Sequence, residues 1–212
     1  WQGGMLGGLG TAKALTGEIT PCGKLTDTIA SSIKDYPSNP YFGDHNKNYY
    51  TEDIYVGYRY FETFAPQKVV YPFGFGLSYT KFELSGAKSK INLKNWEIQT
   101  KITVKNTGNC AGKEVVQIYV EAPCGKLGKP ARVLSGFAKT KTLSKGKSQT
   151  LLITSSAIDF ASYDDSGITG NKSCFVLESG EYKVFAGTDV RSAREIYCFT
   201  LENDTVLRQC EE

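Results

Sequence analysis

Ile98-Gln99-Thr100-Lys101-Ile102-Thr103-Val104-Lys105 alternates strictly between two kinds of side chain. Ile98, Thr100, Ile102 and Val104 share one face of an extended chain, and Gln99, Lys101 and Thr103 share the other. This is the pattern of a strand that buries one face. Asn106-Thr107-Gly108-Asn109 then reads as a turn. In the next run Val116, Ile118 and Val120 again share a face. Arg132–Lys139, Gln149–Thr154, Ser173–Leu177, Glu181–Gly187 and Glu195–Leu201 are further strand candidates, with Lys145-Gly146 and Ser179-Gly180 as turns between them. A sheet of such strands leaves one apolar face uncovered, so a second sheet must cover it. The pattern therefore predicts an antiparallel β-sandwich.

The preceding part of the chain has another character, rich in Gly, Pro and Tyr. Met5, Leu6, Leu9, Ala12 and Leu15 form an approximate helical stripe, and Gly17 is a natural stop. Thr20-Pro21-Cys22-Gly23 is a turn, and Lys24 to Ile29 can form a short strand. A loop-like stretch runs from Ala30 to Thr51. The aromatic run Tyr55-Val56-Gly57-Tyr58-Arg59-Tyr60-Phe61 follows. The chain shows no internal repeat and opens on Trp1-Gln2-Gly3-Gly4, without an initiator Met or a leader pattern. It reads as a piece of a longer polypeptide.

The net charge of +3 is carried on 212 residues with no long basic run, which argues against nucleic-acid binding. No apolar stretch approaches the ~18 residues of a membrane span. Cys22, Cys110, Cys124, Cys174, Cys198 and Cys210 are irregularly spaced and form no C-x-x-C pair. They read as free thiols rather than as a disulfide framework or a zinc site. Unpaired-looking cysteines favour a cytoplasmic location, which is otherwise unknown. Asn171-Lys172-Ser173 and Asn203-Asp204-Thr205 match the glycosylation triplet, which matters only in a secreted chain.

Few residues could carry chemistry. His45 is the one histidine, and neither a G-x-S-x-G elbow nor a second His accompanies it. In a polar loop it reads as a solvated residue. The glycines from Gly3 to Gly10 lack the spacing of a dinucleotide fingerprint, since Lys13 stands where the third glycine belongs. Gly146-Lys147-Ser148 lacks the upstream glycine of a P-loop, because position 141 is Lys141. Glu52-Asp53 and Asp164-Asp165 are adjacent carboxylate pairs. Neighbours on a strand face opposite ways, so neither pair automatically converges on one bond. They read as solvated turns or as ion-pair partners, for example of Arg59. The 13 Tyr, 11 Phe and 2 Trp offer flat faces for sugar stacking, but core packing uses them equally. No catalytic, cofactor-binding or metal residue is assigned, and no cofactor is expected.

Tyr55–Phe61 followed by Tyr71-Pro72-Phe73-Gly74-Phe75-Gly76-Leu77-Ser78-Tyr79-Thr80-Lys81-Phe82 closely resembles a signature of family 3 glycoside hydrolases, the β-glucosidase group. Trp1 to Gly17 and Pro21 to Thr28 resemble the end of that family's α/β sandwich domain. Gly112–Val120, Leu134-Ser135-Gly136-Phe137 and Ser179-Gly180-Glu181-Tyr182 resemble its fibronectin III-like domain. The resemblance covers nearly the whole chain, with one departure at Leu6, where the family commonly has an acidic or related polar residue. It implies a mainly β protein: an immunoglobulin/fibronectin III-like antiparallel β-sandwich, preceded by an α/β segment from an incomplete α/β sandwich domain. The division expected is 1–87 for the α/β tail and junction, 88–202 for the sandwich, and 203–212 for a C-terminal tail or linker.

In this family the nucleophilic Asp comes from a separate barrel, and the acid/base Glu usually comes from upstream of this region. Neither motif is present. The resemblance therefore implies a non-catalytic structural portion of a retaining hydrolase acting on terminal β-linked sugars. Its partners would be the remaining catalytic domains and, through them, the carbohydrate substrate. A homo-oligomer is left open, as is the place of the barrel before or after this region. The alternatives are an independent carbohydrate-binding or adhesive sandwich, and a self-sufficient hydrolase using Asp44, Glu52 or Asp53.

Overall fold

The computed structural model describes residues 3–211. The elements in chain order are α1 (Gly7–Leu15), β1 (Ile29–Ala30), α2 (Tyr58–Phe64), β2 (Val69–Tyr71), β3 (Phe82–Asn92), β4 (Glu97–Asn106), β5 (Val115–Glu121), β6 (Val133–Lys139), β7 (Ser148–Ser156), β8 (Ser162–Asp164), β9 (Cys174–Leu177), β10 (Gly180–Gly187), β11 (Arg194–Leu201) and β12 (Thr205–Gln209). The sheet β11-β10-β5-β6 and the sheet β3-β4-β7 form the sandwich, with β12-β9-β8 beside them. All of the strand pairs are antiparallel.

The alternation read from β4 is realised. Ile98, Thr100, Ile102 and Val104 are all buried, and they meet Val116, Ile118 and Val120 of β5 and Tyr182, Val184 and Ala186 of β10 in one core. Thr100 is polar at a core position. Its hydroxyl shares a 2.8 Å hydrogen bond with that of Ser89 on β3, which offsets its desolvation. Asn106, fully buried where β4 ends, donates to the carbonyls of Cys110 (2.8 Å) and Leu143 (2.7 Å). It also accepts from the Thr80 hydroxyl (2.7 Å) and the Gly108 amide (3.0 Å). One amide side chain thus fastens three loops.

Several elements depart from the sequence reading; the short strands β2 and β8 were unread. Strand β3 went unread, and residue 87, the expected boundary, lies inside it. Its register shifts between Ser85 and Lys88, around Gly86 at φ +60°. This bulge resets the period-two alternation that would have announced the strand. The expected tail 203–212 contains β12, which pairs with β9 through Thr205↔Leu177 and Gln209↔Cys174. Residues 58–64, read as an aromatic run, form a helix in which Phe61 is fully buried. The expected strand from Lys24 to Ile29 shortens to Ile29–Ala30, paired with β2. Leu25 lies outside it, bonded to the backbone of Gly74 and Phe75.

Candidate functional site

The acidic candidates are placed without a common focus. Asp44 accepts from the amides of Asn46 (2.8 Å) and Lys47 (3.2 Å), a local turn that leaves His45 exposed. Glu52 is half-buried, and Asp53 is exposed with φ +49°. Among the described residues no ion pair joins Arg59 to either of them. Asp164 is fully buried and already occupied. It accepts from the amides of Gly167 (2.7 Å), Ile168 (3.2 Å) and Thr169 (2.8 Å), and from the Thr169 hydroxyl (2.6 Å). Burial alone would raise its pKa, but these bonds hold the carboxyl well below the usual range. It is a loop clamp. Asp165 beside it is exposed, so the pair is split as strand geometry requires. The six cysteines are free, and no cluster of three His, Cys, Asp or Glu able to hold a metal occurs among the described residues. Among those residues, no helix is long and apolar enough to cross a membrane.

What the residues do build is a joint. Strand β5 is buried on both faces, because Gln117 and Tyr119 point away from the sandwich core into the N-terminal part. Tyr119 packs with Phe185, Val190 and Ala193, and Tyr58 and Phe73 cover this cluster. The Tyr58 and Phe73 rings lie 4.5 Å apart, and the Tyr58 hydroxyl accepts from the Leu134 amide at 2.8 Å. Tyr119 donates to the Gln117 side-chain oxygen, and the Gln117 amide donates to Thr188 O at 2.8 Å. Burial pushes the Tyr119 phenol far above its usual pKa, so it stays a neutral donor.

Polar struts surround this aromatic centre. Arg191, in the loop between β10 and β11, donates to Glu62 (2.9 Å) and to Pro66 O (2.6 Å). The Val190 amide bonds Phe73 O at 3.1 Å. Lys24 pairs with Glu114 at 2.8 Å, with both side chains largely shielded. Lys139 donates to Cys22 O at 2.8 Å. Arg132 stacks 4.0 Å over the Phe185 ring and donates to Val190 O. Gly74, at φ +82°, lies so close to Gln117 that no side chain fits there. Aromatic density announced this joint in the sequence. Its partners Gln117, Tyr119 and Arg191 were not legible, because they sit on strands and loops whose sequence signal points to the core or to solvent.

On its other side the N-terminal part is bare. Helix α1 has no buried residue, and Met5, Leu6, Leu9 and Leu15 all face solvent. Ile29, Tyr71 and Leu77 are exposed beside a cavity of ≈590 Å³ that Pro21, Leu25 and Phe75 also line, and Val70 is exposed as well. Phe42 and Tyr50 are 90% and 93% exposed in the loop before α2. Thr28 is fully buried, and its hydroxyl has no partner.

The described residues build a two-sheet sandwich joined through buried aromatics to a partial α/β layer. Comparison with known proteins identifies both parts. Residues 1–79 match the model of the glycosyl hydrolase family 3 C-terminal domain, and residues 114–190 match that of the fibronectin type III-like domain. The chain belongs to glycosyl hydrolase family 3. It is 57% identical to a β-glucosidase of Ruminococcus albus over 212 residues, all of this chain and 22% of that protein. It is 47% identical to β-glucosidase A of Butyrivibrio fibrisolvens, over 99% of this chain and 27% of the relative. A solved β-glucosidase from Paenibacillus barengoltzii superposes with a TM-score of 0.94 at 49% identity, covering 100% of this chain and 24% of that one. The chain thus spans about a quarter of the length of the proteins it matches.

Proposed function

We propose that this chain is the buttress of a β-glucosidase-like enzyme, which hydrolyses terminal β-linked sugars with retention through carboxylates carried elsewhere in its polypeptide. The sandwich, taken from Phe82 to Gln209, supports the N-terminal segment, and that segment forms one wall of the α/β layer completed by the rest of the enzyme. One observation carries this reading: the exposed stripe of α1 together with the bare face around Tyr71 and Leu77. A single helix and a two-residue strand cannot cover their own apolar faces, and domains are built from complete packed layers. A patch of this kind marks an interaction surface.

The reading is tested by assaying aryl β-glucoside hydrolysis by the 212-residue chain and by a full-length protein containing it. Retaining chemistry needs two carboxyl groups about 5–5.5 Å apart. The chain is expected to show no turnover, while the full-length protein is active and loses activity or solubility on Leu9→Asp. Turnover by the chain alone, abolished by Glu52→Gln or Asp53→Asn, would replace this reading with a self-sufficient hydrolase.

A further inference from the structure

We propose that the cavity between α2 and the β8 end of the sandwich is a carboxylate-binding site, in which Arg59 and Lys129 hold the anion and the apolar wall takes its short aliphatic stem. The cavity measures ≈100 Å³, and Ile54, Leu127, Val133 and Phe160 supply apolar lining. That is room for about three waters' share of liquid volume, and far less than the ~300 Å³ of an ordinary small-molecule pocket. Arg59 and Lys129 both line it. Lys129 donates once, to Phe160 O at 2.9 Å, leaving two of its three donors unused. Among the described residues the Arg59 guanidinium has no hydrogen-bond or ion-pair partner.

Among the described residues the nearby acids form no ion pair with these cations. Glu178, at the end of β9, turns its carboxylate to the amides of Lys126 (2.6 Å) and Leu127 (3.3 Å). Asp159 lines the cavity but accepts from the Ser156 amide in a capping box. Tyr163 also lines it. Burial pushes the Lys129 ammonium down to about 8, with Glu178 raising it and Arg59 lowering it further. Arg59 and Lys129 thus share a recess without an ion-pair partner among the described residues, and an anion that accepts from both offsets the cost of burying the ammonium. The apolar lining suits a carboxylate on a short carbon stem better than a phosphate, which needs donors on every side.

Such a carboxylate has two sources: a small solute, or an Asp or Glu side chain from polypeptide outside residues 1–212. The probe is sodium acetate, added to the 212-residue chain at constant ionic strength with chloride as the control. The readout is the pH titration of the Lys129 side chain by NMR, assigned with Lys129→Met. Acetate is expected to raise the Lys129 pKa by about one unit with millimolar affinity, and that affinity falls as pH rises through about 8. Arg59→Gln should abolish the acetate-dependent shift, and Arg59→Lys should retain part of it. If acetate moves Lys129 no more than chloride does, the proposal is wrong. The full-length protein separates the sources. A solute site responds to acetate there as well, whereas an internal carboxylate leaves Lys129 already raised and unresponsive.

Discussion

Gly74→Ala strikes the joint at its tightest point. The glycine sits at φ +82°, and a Cβ there would lie 2.6 Å from Gln117 Nε2 and closer still to its side-chain oxygen. Holding alanine in the left-handed region costs about 1 kcal/mol. Displacing the Gln117 amide breaks its bonds to Thr188 O and Tyr119, at about 1 kcal/mol each. The loss is about 3 kcal/mol in all, or roughly 6–12 °C in Tm for a chain of this size. Gly146→Ala is the matched control, since that glycine has φ +75° with nothing within 4 Å of the added Cβ. It should lose only the conformational share, about 1 kcal/mol. Urea denaturation of both variants, with m unchanged, measures the difference, which belongs to the Gln117 contact. Equal losses would mean that the joint yields freely at Gly74 and that the two parts are not firmly fastened.

Asn106→Ala should destabilise the sandwich by about 2–4 kcal/mol in the same experiment, because it removes four hydrogen bonds and leaves the buried Thr80 hydroxyl without its acceptor. Asp164 has a folded-state pKa below its unfolded value, so the stability it contributes is present above about pH 4 and lost as pH falls further. Asp164→Asn should therefore be less stable than the parent chain at pH 7, with the gap narrowing in acid; a gap that widens in acid would contradict the assignment. Hydrogen exchange on the isolated chain should find residues 3–35 less protected than Ile118 in β5, since α1 buries nothing. Equal protection would show that the N-terminal segment needs no cover.

The sandwich was legible because period-two alternation and single-sided burial are the same fact seen twice, as in Ile98–Val104. Legibility failed where that link is broken. In β3 the bulge at Ser85–Lys88 moves the alternation by one residue. In β5 both faces are buried, so Gln117 and Tyr119 looked like the solvent side while they anchor the joint. The helix at Tyr58–Phe64 was masked by its own aromatic density, although Tyr58, Phe61 and Ala65 keep helical spacing. The carboxylate pairs were read as solvated turns or ion-pair partners, but nothing in Asp164-Asp165 foretold a five-residue loop folded around one carboxylate. Arg59 and Lys129 are 70 residues apart, and no local pattern could have brought them to one cavity.

The Arg191–Glu62 strut spans 129 positions of sequence. Translation runs from the N-terminus at roughly 5–20 residues per second, so Tyr58, Phe61 and Phe73 leave the ribosome some 6–26 s before the loop that receives them. Over that interval an aromatic segment is synthesised with nothing to dock on. Its landing surface, β5 with the β10–β11 loop, is completed only when most of the sandwich has been made. The joint is therefore a late event in the life of each new chain, and the waiting segment is where a chaperone or a neighbouring nascent chain would first find something to hold.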